Sequence, residues 1–211
     1  MEFKQPDLKT LLCIGAHCDD IEIGCGGTLL RLVRENPDIS VRWYIFSSDP
    51  VREQETRKSA RMFLDGCSAK ITVKSFRNGF FPYIGGEIKE YFEEIKKNES
   101  PDLIFTHYRH DRHQDHRLLS DLTWNTFRDH LILEYEIPKY DGDIDTPNFF
   151  VQLDETYWKK KLEIIINCYK SQLHKHWFTA NIFSSLMRLR GMECAAVSGY
   201  AEAFYSRKIS I

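Results

Sequence analysis

Short apolar runs alternate along the chain with longer segments whose apolar residues recur at helical spacing. The short runs predict strands at Leu11–Ala16, Val41–Phe46, Ile71–Phe76, Leu103–Thr106 and Phe149–Leu153. The longer segments predict helices at Thr28–Glu35, Arg52–Leu64, Gly86–Lys97 and His116–Phe127, and a fifth that Asp154 caps and that extends through Tyr169. This alternation is typical of a three-layer α/β fold with a mostly parallel sheet and helices on both faces. In such a fold the loops that follow the strands meet at one edge of the sheet.

Composition adds limits to this picture. The chain has 211 residues, of which 42% are hydrophobic and 28% charged, values close to those of an ordinary globular domain. These values exclude disorder, a collagen-like repeat and a coiled coil for the chain as a whole. The formal net charge of −2 argues against a dedicated nucleic-acid binder, which would carry a basic excess. At this length we expect one domain over residues 1–211, large enough to bury a core.

The cellular compartment can be inferred from what the N-terminal segment and the cysteines do not show. Met1–Thr10 is polar and has no apolar core of the kind found in signal peptides. No stretch reaches the roughly 18 apolar residues needed to cross a bilayer, so we expect no membrane span. The six cysteines form no C-x-x-C pair and are expected to be reduced thiols. The cytoplasm is therefore the predicted location.

A segment rich in glycine and acidic residues, Gly15–Gly27, follows the first predicted strand. Its glycines suggest a phosphate-binding loop, but their spacing matches neither G-x-G-x-x-G nor G-x-x-x-x-G-K-[ST]. Asp19, Asp20 and Glu22 would also repel a phosphate. Together with His17, these carboxylates are better suited to bind Zn²⁺ or Fe²⁺. The glycines would then let the chain turn sharply into the helix.

The second polar cluster, Thr106–His116, follows the fourth predicted strand and so lies at the same edge of the sheet. It contains four of the eight histidines of the chain. We interpret His107 and His110 as bystanders in a solvated loop. His113, Asp115 and His116 are instead the residue types that supply a metal ligand, a group that orients it and an acid within one turn.

Taken together, these residues resemble the PIG-L/LmbE-like family of metal-dependent N-acetylglucosaminyl deacetylases. His17–Gly24 is similar to the family signature A-H-P-D-D-x-E-I-G, and Asp111–Arg117 is similar to D-x-H-x-D-H-R. Two family prolines are replaced by Cys18 and Gln114, neither of which is a ligand position in the family pattern. Softer similarities to the family lie in Arg52–Glu55, Tyr169–Gln172, Arg190–Gly191 and Tyr200–Phe204. The resemblance implies a Rossmann-like, LmbE-like fold.

The resemblance also implies roles for individual residues. It assigns metal binding to His17, Asp20 and His116, with Zn²⁺ as the expected ion and Fe²⁺ or another divalent metal as the alternative. It makes Asp19 the general base, His113 the acid and oxyanion stabiliser, and Asp115 the group that holds an imidazole in its productive tautomer. Arg52, Tyr200 and Glu202 are the expected substrate-binding residues. The implied substrate is a small-molecule N-acetyl amino sugar, which would be split into acetate and a free amine.

Several alternatives stay open on the sequence alone. The same residues would serve an amidase or esterase acting on a sugar–thiol conjugate, and a Rossmann-like module that binds a sugar or nucleotide without catalysis is a third interpretation. Arg52 could pair with Glu55 on its own helix, and Glu22 could be either a carboxylate behind the metal or a charge at a helix N-terminus. A packed tyrosine and a surface glutamate are the simple alternatives for Tyr200 and Glu202. The resemblance makes a homo-oligomer one expected assembly.

Overall fold

The computed structural model describes residues 8–209, so most of the polar N-terminal segment discussed above lies outside it. Seven strands make up its sheet: β1 Thr10–Gly15, β2 Ser40–Ile45, β3 Ser68–Val73, β4 Leu103–His107, β5 Leu131–Tyr135, β6 Phe149–Gln152 and β7 Ala201–Ser206. The α-helices are α1 Asp20–Glu35, α2 Pro50–Phe63, α3 Gly85–Asn98, α4 Gln114–Thr126, α5 Glu155–Cys168 and α6 Ala180–Glu193. In this part of the chain, no helix is both long enough and apolar enough to cross a bilayer.

The strands form one sheet in the order β3-β2-β1-β4-β5-β7-β6. The first five strands of this order pair in parallel, whereas β7 is antiparallel to both β5 and β6. The fold class predicted from the alternating pattern is therefore confirmed. The chain runs outward from β1 through β2 to β3 and then returns to place β4 on the other side of β1. This reversal makes the carboxyl ends of β1 and β4 the switch point where open α/β sheets bind ligands.

Each face of the sheet packs against its own helices. Leu11 and Cys13 of β1 belong to the core that α1, α2 and α5 cover, whereas Leu12 and Ile14 belong to the core under α3 and α4. This division follows from the alternation of side chains along a strand. A strand that is buried on both faces has a continuous run of apolar residues. For this reason the sequence pattern predicts β1 clearly.

Three elements were not predicted from the sequence: β5, β7 and α6. A glutamate interrupts the apolar pattern of each of the two strands: Glu134 in β5 and Glu202 in β7. Both glutamates are nevertheless buried. Their ionic partners, Arg109 and Lys161, come from distant parts of the chain, so a local pattern gives no sign that these carboxylates can be buried.

The glycine-rich part of the first motif is helical, so the prediction of a sharp turn there is wrong. Helix α1 begins at Asp20 and includes Gly24, Gly26 and Gly27 within its buried face. A Cβ at Gly24 would come within 2.2 Å of the Tyr135 ring, and one at Gly26 within 2.7 Å of Phe63. These glycines therefore permit close packing of α1 on the sheet and on α2, which outweighs their low helix propensity.

Candidate active site

The two polar clusters meet at the switch point of the sheet. His17 lies in the short connection from β1 to α1, and Asp20 is the first residue of α1. His116 lies in the first turn of α4, which follows β4. Although His17 and His116 are 99 positions apart in the chain, the parallel pairing of β1 with β4 brings their side chains together.

His17, Asp20 and His116 form a triangle of donor atoms. Nδ1 of His17 lies 3.1 Å from Nε2 of His116 and 3.4 Å from Oδ2 of Asp20. The third side, from His116 Nε2 to Asp20 Oδ2, measures 3.5 Å. Ligand atoms bonded tetrahedrally to Zn²⁺ at about 2.0–2.1 Å lie about 3.3 Å apart, so these three residues fit a divalent metal ion. Three protein ligands also leave the fourth position open, as catalytic zinc sites do.

Both histidines of this triangle are oriented by a carboxylate. Nε2 of His17 lies 3.3 Å from Oδ2 of Asp115, whose oxygens also accept hydrogen bonds from the backbone N–H groups of Gly79 and Phe81. Nδ1 of His116 lies 2.9 Å from Oδ2 of Asp111. If His17 Nε2 and His116 Nδ1 each carry the ring proton and donate a hydrogen bond to their carboxylate, the other nitrogen of each ring has a lone pair available for a metal ion. Such histidine–carboxylate pairs are typical of metal sites. Asp111 was not singled out from the sequence, although it opens the second motif.

The electrostatics of the cluster favour a positive charge at its centre. Burial disfavours a charged His17, yet Asp20 and Asp115 raise the pKa of His17 to about 10. The opposite holds for His116, because burial and the neighbouring His107 lower its pKa to about 3. Burial also opposes the charge on Asp20, but the surrounding histidines hold its pKa well below the usual range. In the absence of a metal ion, a proton on His17 supplies the positive charge that these carboxylates favour.

Asp19 points to a different partner from its neighbour Asp20. Its Oδ1 lies 2.9 Å from Nη2 of Arg52 on α2. Burial raises the pKa of Asp19, and the Arg52 guanidinium opposes this change. Arg52 also lies near Glu55, but at the longer distance of 3.9 Å from Nε to Oε2. The main ionic partner of Arg52 is therefore Asp19, which neither sequence interpretation of Arg52 anticipated.

His113 lies at the edge of the triangle formed by His17, Asp20 and His116, which we call the metal triangle. One of its ring nitrogens has no hydrogen-bond partner among the described residues. Its Nδ1 accepts a hydrogen bond from the backbone N–H of Asp115 at 3.2 Å, so the neutral ring carries its proton on Nε2. The ring is half-buried and meets the ring of His17 edge-on, with centroids 4.9 Å apart. Burial and the nearby His17 lower the pKa of His113, which favours this neutral form. A neutral imidazole with an available N–H can donate a hydrogen bond to a bound substrate.

His107 is not a bystander in a solvated loop, so that interpretation of the sequence is wrong. It is the last residue of β4 and is fully buried. Its Nε2 accepts a hydrogen bond from the Ala16 N–H at 2.9 Å and lies 3.2 Å from Oδ2 of Asp20. Its ring stacks on His116 with centroids 3.9 Å apart. His107 thus packs behind the metal triangle, where its place at the end of a buried strand was the available signal. His110, in contrast, only touches the edge of the Tyr108 ring.

Glu202 does not fit its predicted role in substrate binding. The residue is 3% exposed, and its carboxylate accepts hydrogen bonds from the N–H groups of Gly27 and Thr28 and from Lys161. These three donors engage both oxygens of the carboxylate. The simple alternative of a surface glutamate is wrong as well. Tyr200 stacks on Trp158, with centroids 4.1 Å apart and planes at 14°, which supports the interpretation of a packed tyrosine.

Glu22 is a buried residue behind the segment His17–Asp20, which we call the metal loop. It is fully buried, and its Oε1 is hydrogen bonded to the hydroxyl of Tyr169. Burial raises its pKa to about 8, against the effect of the Tyr169 hydroxyl, so Glu22 is largely protonated at neutral pH. A protonated acid gives no charge to the helix N-terminus. Glu22 does lie in the first turn of α1, where the helix-terminal interpretation placed it, but burial disfavours its charge there.

Fold and site together define an α/β protein with a donor set for a divalent cation at the switch point of its sheet. The chain belongs to the PIG-L family, because the family profile described as GlcNAc-PI de-N-acetylase matches residues 12–127. The "Uncharacterized deacetylase YaiS" of Escherichia coli (strain K12) is 29% identical over 165 residues, which cover 73% of this chain and 87% of that protein.

Solved structures share the fold over nearly the whole chain. The N,N'-diacetylchitobiose deacetylase from Pyrococcus horikoshii superposes with a TM-score of 0.74 at 21% identity, covering 95% of this chain and 84% of that one. The conserved protein TT1542 from Thermus thermophilus gives a TM-score of 0.76 at 22% identity, covering 97% of this chain and 96% of that one. At these identities the likeness establishes the fold, which is the LmbE-like fold expected from the sequence.

Proposed function

We propose that this chain is a zinc-dependent hydrolase that removes the acetyl group from an N-acetylated amino sugar of the N-acetylglucosamine type. Family membership supports the broader statement that it is a hydrolytic deacetylase. The observation that carries the proposal is the triangle of His17, Asp20 and His116, flanked by the carboxylate of Asp19 and the free N–H of His113. A binding module without catalysis would have no use for these two additional groups.

His17, Asp20 and His116 would hold the metal ion, and Asp115 and Asp111 would fix the orientation of the two imidazoles. When bound, a zinc ion supplies Lewis acidity, which polarises a carbonyl and lowers the pKa of a water molecule towards about 7. Zn²⁺ is the first choice for two imidazoles and one carboxylate, and Fe²⁺ also accepts this donor set.

Asp19 is the proposed general base. Its partner Arg52 favours the ionised form of the carboxylate and fixes one of its oxygens, while Asp20 on the next residue is directed into the triangle. Asp19 would accept a proton from the water that attacks the acetyl carbonyl carbon. The two carboxylates differ in their net shift: burial raises the pKa of Asp19 although Arg52 opposes this, whereas the surrounding histidines hold the pKa of Asp20 well below its usual range despite burial.

His113 is the proposed acid. An amine leaves poorly as an anion, so the nitrogen of the amide must gain a proton as its bond to the carbonyl carbon breaks. His113 acts as an acid only as the imidazolium, so for this step the ring would first take up a proton at Nδ1, displacing the Asp115 N–H. It would then pass its Nε2 proton to the amide nitrogen and be left neutral. Before the bond breaks, the same N–H would donate a hydrogen bond to the developing oxyanion. The products are acetate and the free amino sugar.

Two printed descriptions of relatives support an amino sugar as the substrate. The family profile is described as a GlcNAc-PI de-N-acetylase, and the Pyrococcus structure is described as an N,N'-diacetylchitobiose deacetylase. Both descriptions name an N-acetylated glucosamine unit, with different attached groups. We therefore propose the N-acetyl amino sugar as the recognised unit. An amide or ester of a sugar–thiol conjugate is the alternative substrate.

The test is an acetate-release assay with the metal-free chain and with the chain reconstituted with Zn²⁺, Fe²⁺ or Co²⁺. The substrate panel contains N-acetylhexosamine conjugates, their O-acetyl counterparts and sugar–thiol amides. We expect one of the metals to restore acetate release from an N-acetyl conjugate, and a chelator to abolish it. Activity on esters or thiol conjugates alone would favour the alternative. A chain that binds metal at one equivalent but releases nothing from any member would overturn the proposal.

A further inference from the structure

Two of the sequence motifs, Arg52–Glu55 and Tyr169–Gln172, contact each other beside the metal loop. Glu55 on α2 accepts hydrogen bonds from the backbone N–H and the hydroxyl of Ser171, at 2.8 and 2.6 Å. Ser171 lies in the short 3-10 helix Lys170–Gln172 that follows α5. The contact therefore ties α2 to the turn that begins at Tyr169.

Tyr169 reaches from this turn to the backbone of the metal loop. The residue is fully buried, and its hydroxyl, which also contacts Oε1 of Glu22, lies within donor distance of the carbonyl oxygen of Cys18. The hydroxyl of Thr56 donates to the same oxygen at 2.8 Å. Cys18 separates His17 from Asp19, so this carbonyl belongs to the peptide unit that leads directly into Asp19.

The loop depends on this anchor because helix α1 lacks the usual one. Asp19 occupies the N-cap position of α1, but its side chain makes no capping hydrogen bond to the backbone. Instead, the carboxylate of Asp19 is directed to Arg52. With the cap unused, two kinds of contact hold the start of the helix: the two hydroxyls on the Cys18 carbonyl, and the hydrogen bond from the His17 N–H to Oδ2 of Asp20 at 2.6 Å.

The ring of Tyr169 supports Asp19 by a second route. The guanidinium carbon of Arg52 lies 5.7 Å from the centroid of this ring, within the range of a cation–π contact. Arg52 in turn lies 2.9 Å from Asp19. The hydroxyl and the ring of one tyrosine thus act on the two sides of Asp19, through the backbone and through its ionic partner.

We propose that Tyr169 is a positioning residue whose hydroxyl holds the His17–Asp20 segment in the geometry that metal binding and base action require. The inference rests on the proposed function for its kinetic part, while its metal-binding part stands without any substrate. Loss of the hydroxyl leaves Thr56 as the remaining donor to the Cys18 carbonyl. The looser peptide unit then misaligns Nδ1 of His17 with Asp20 and turns Asp19 away from the substrate.

The experiment compares Tyr169→Phe with the matched variant Tyr44→Phe. Tyr44 lies on β2, is also buried and is outside the site. Its hydroxyl donates a hydrogen bond to Glu99 at 2.7 Å. Each metal-free protein is titrated with Co²⁺, whose visible absorption reports the dissociation constant and the ligand geometry. Because second-layer partners of metal ligands typically contribute 10–100-fold to affinity, we expect a loss of about that size in Tyr169→Phe. We expect a change of less than about threefold in Tyr44→Phe.

The Tyr169→Phe substitution keeps the aromatic ring, and hence the contact with Arg52, so it isolates the hydroxyl. Thr56→Val removes the second donor to the same carbonyl and should weaken Co²⁺ binding in the same direction. It also serves as the test if Tyr169→Phe does not fold. With an active substrate and saturating metal, we expect kcat to fall for Tyr169→Phe while KM stays within about twofold.

The outcomes separate this inference from the proposed function. Unchanged Co²⁺ affinity and spectrum in Tyr169→Phe, or in Thr56→Val if that is the variant that folds, would overturn the positioning role, whatever the wild-type chain catalyses. A wild-type chain that binds Co²⁺ but releases no acetate from any substrate would overturn the proposed function, while weaker Co²⁺ binding in the variants would still support the role of Tyr169.

Discussion

The carboxylate of Asp111 lies 2.9 Å from Nδ1 of His116 and 3.0 Å from the ammonium of Lys139. Burial opposes the charge on Asp111, but His116 and Lys139 hold its pKa below the usual range. The carboxylate is therefore ionised at neutral pH and accepts a hydrogen bond from the N–H at Nδ1. This bond fixes the tautomer that has a free Nε2 at the metal triangle.

Asp111→Asn should weaken metal binding. The amide can donate to Nδ1 as well as accept, so it no longer selects the tautomer that presents a free Nε2. We expect the dissociation constant for Zn²⁺ to rise about 10–100-fold, measured by competition with a chelating dye. Asp143→Asn is the control, because Asp143 also contacts Lys139 at 2.5 Å but does not touch His116. Equal losses in both variants would contradict a specific role for the Asp111–His116 bond.

Asp19→Asn should abolish most of the activity and leave the metal in place. General base catalysis typically contributes 10²–10⁴-fold, so we expect a loss of about that size in kcat. Metal content is measured on the same samples and should stay near one equivalent, because Asp19 contacts Arg52 and lies outside the triangle. The exposed Asp129→Asn is the matched control and should retain full activity. Unchanged deacetylation in Asp19→Asn would show that another group is the base.

Metal binding should release a proton near neutral pH. Asp20 and Asp115 raise the pKa of His17 to about 10 against the effect of burial, so His17 is protonated in the metal-free chain at pH 7. A metal ion must displace this proton, and its apparent affinity should rise about tenfold per pH unit between pH 6 and 8. Calorimetry in buffers of different ionisation enthalpy should report about one proton released. Heats that do not depend on the buffer would contradict this assignment.

Glu22→Gln should stabilise the metal-free chain at alkaline pH. Burial raises the pKa of Glu22 from 4.5 to about 8, although the hydroxyl of Tyr169 acts in the opposite direction. The folded chain therefore binds this proton more tightly than the unfolded chain. The resulting stabilisation is fully present below the unfolded-state pKa, and it is lost as the pH rises through about 8, with a slope of at most about 1.4 kcal/mol per pH unit.

The measurement is the free energy of unfolding by urea at pH 5, 6.5 and 8 in the presence of a chelator. We expect the curve of Glu22→Gln to be flatter than that of the wild type, with the variant the more stable of the two at pH 8. The exposed Glu87→Gln should follow the wild-type curve. A Glu22→Gln variant that loses as much stability between pH 5 and pH 8 as the wild type would refute the shifted pKa.

Two glycine substitutions should act in opposite directions. Gly24→Ala places a Cβ within 2.2 Å of the Tyr135 ring, and we expect it to cost about 1–3 kcal/mol of unfolding free energy. Gly86→Ala in α3 meets no atom within 4 Å, and we expect it to stabilise the chain by about 0.5–1 kcal/mol. Urea unfolding measures both. A neutral Gly24→Ala would mean that α1 can move away from the sheet.

The central features of the site could be predicted because they follow from local patterns and a topological rule. Buried parallel strands read as apolar runs, and the polar residues after β1 and β4 had to meet at one edge. His107 and Glu202 could not be predicted in this way. Both are polar residues buried by partners that approach only in the folded chain, namely Ala16 and Asp20 for the first, and Lys161 and the start of α1 for the second. The same reason explains why β7 was missed.

The Arg52–Asp19 contact shows a further limit. From the sequence, Glu55 three residues away was the natural partner for Arg52, because helical spacing is visible in a sequence and the approach of two elements is not. The crossing of α2 behind the metal loop decides the pairing. The role of the glycines in α1 could not be predicted for a related reason. Only the folded chain shows that Tyr135 and Phe63 occupy the space that a side chain at Gly24 or Gly26 would need.

The position of β7 also determines when, during synthesis of the chain, the sheet can close and the metal site can be completed. This strand is the last one in the described chain, yet it is inserted between β5 and β6, and its Glu202 binds the N–H groups of Gly27 and Thr28 in α1. A nascent chain still attached to the ribosome before Ser206 has emerged therefore lacks both the inner strand and the anchor of the helix that carries Asp20. A metal ion would therefore meet the complete site only once β7 has closed the sheet.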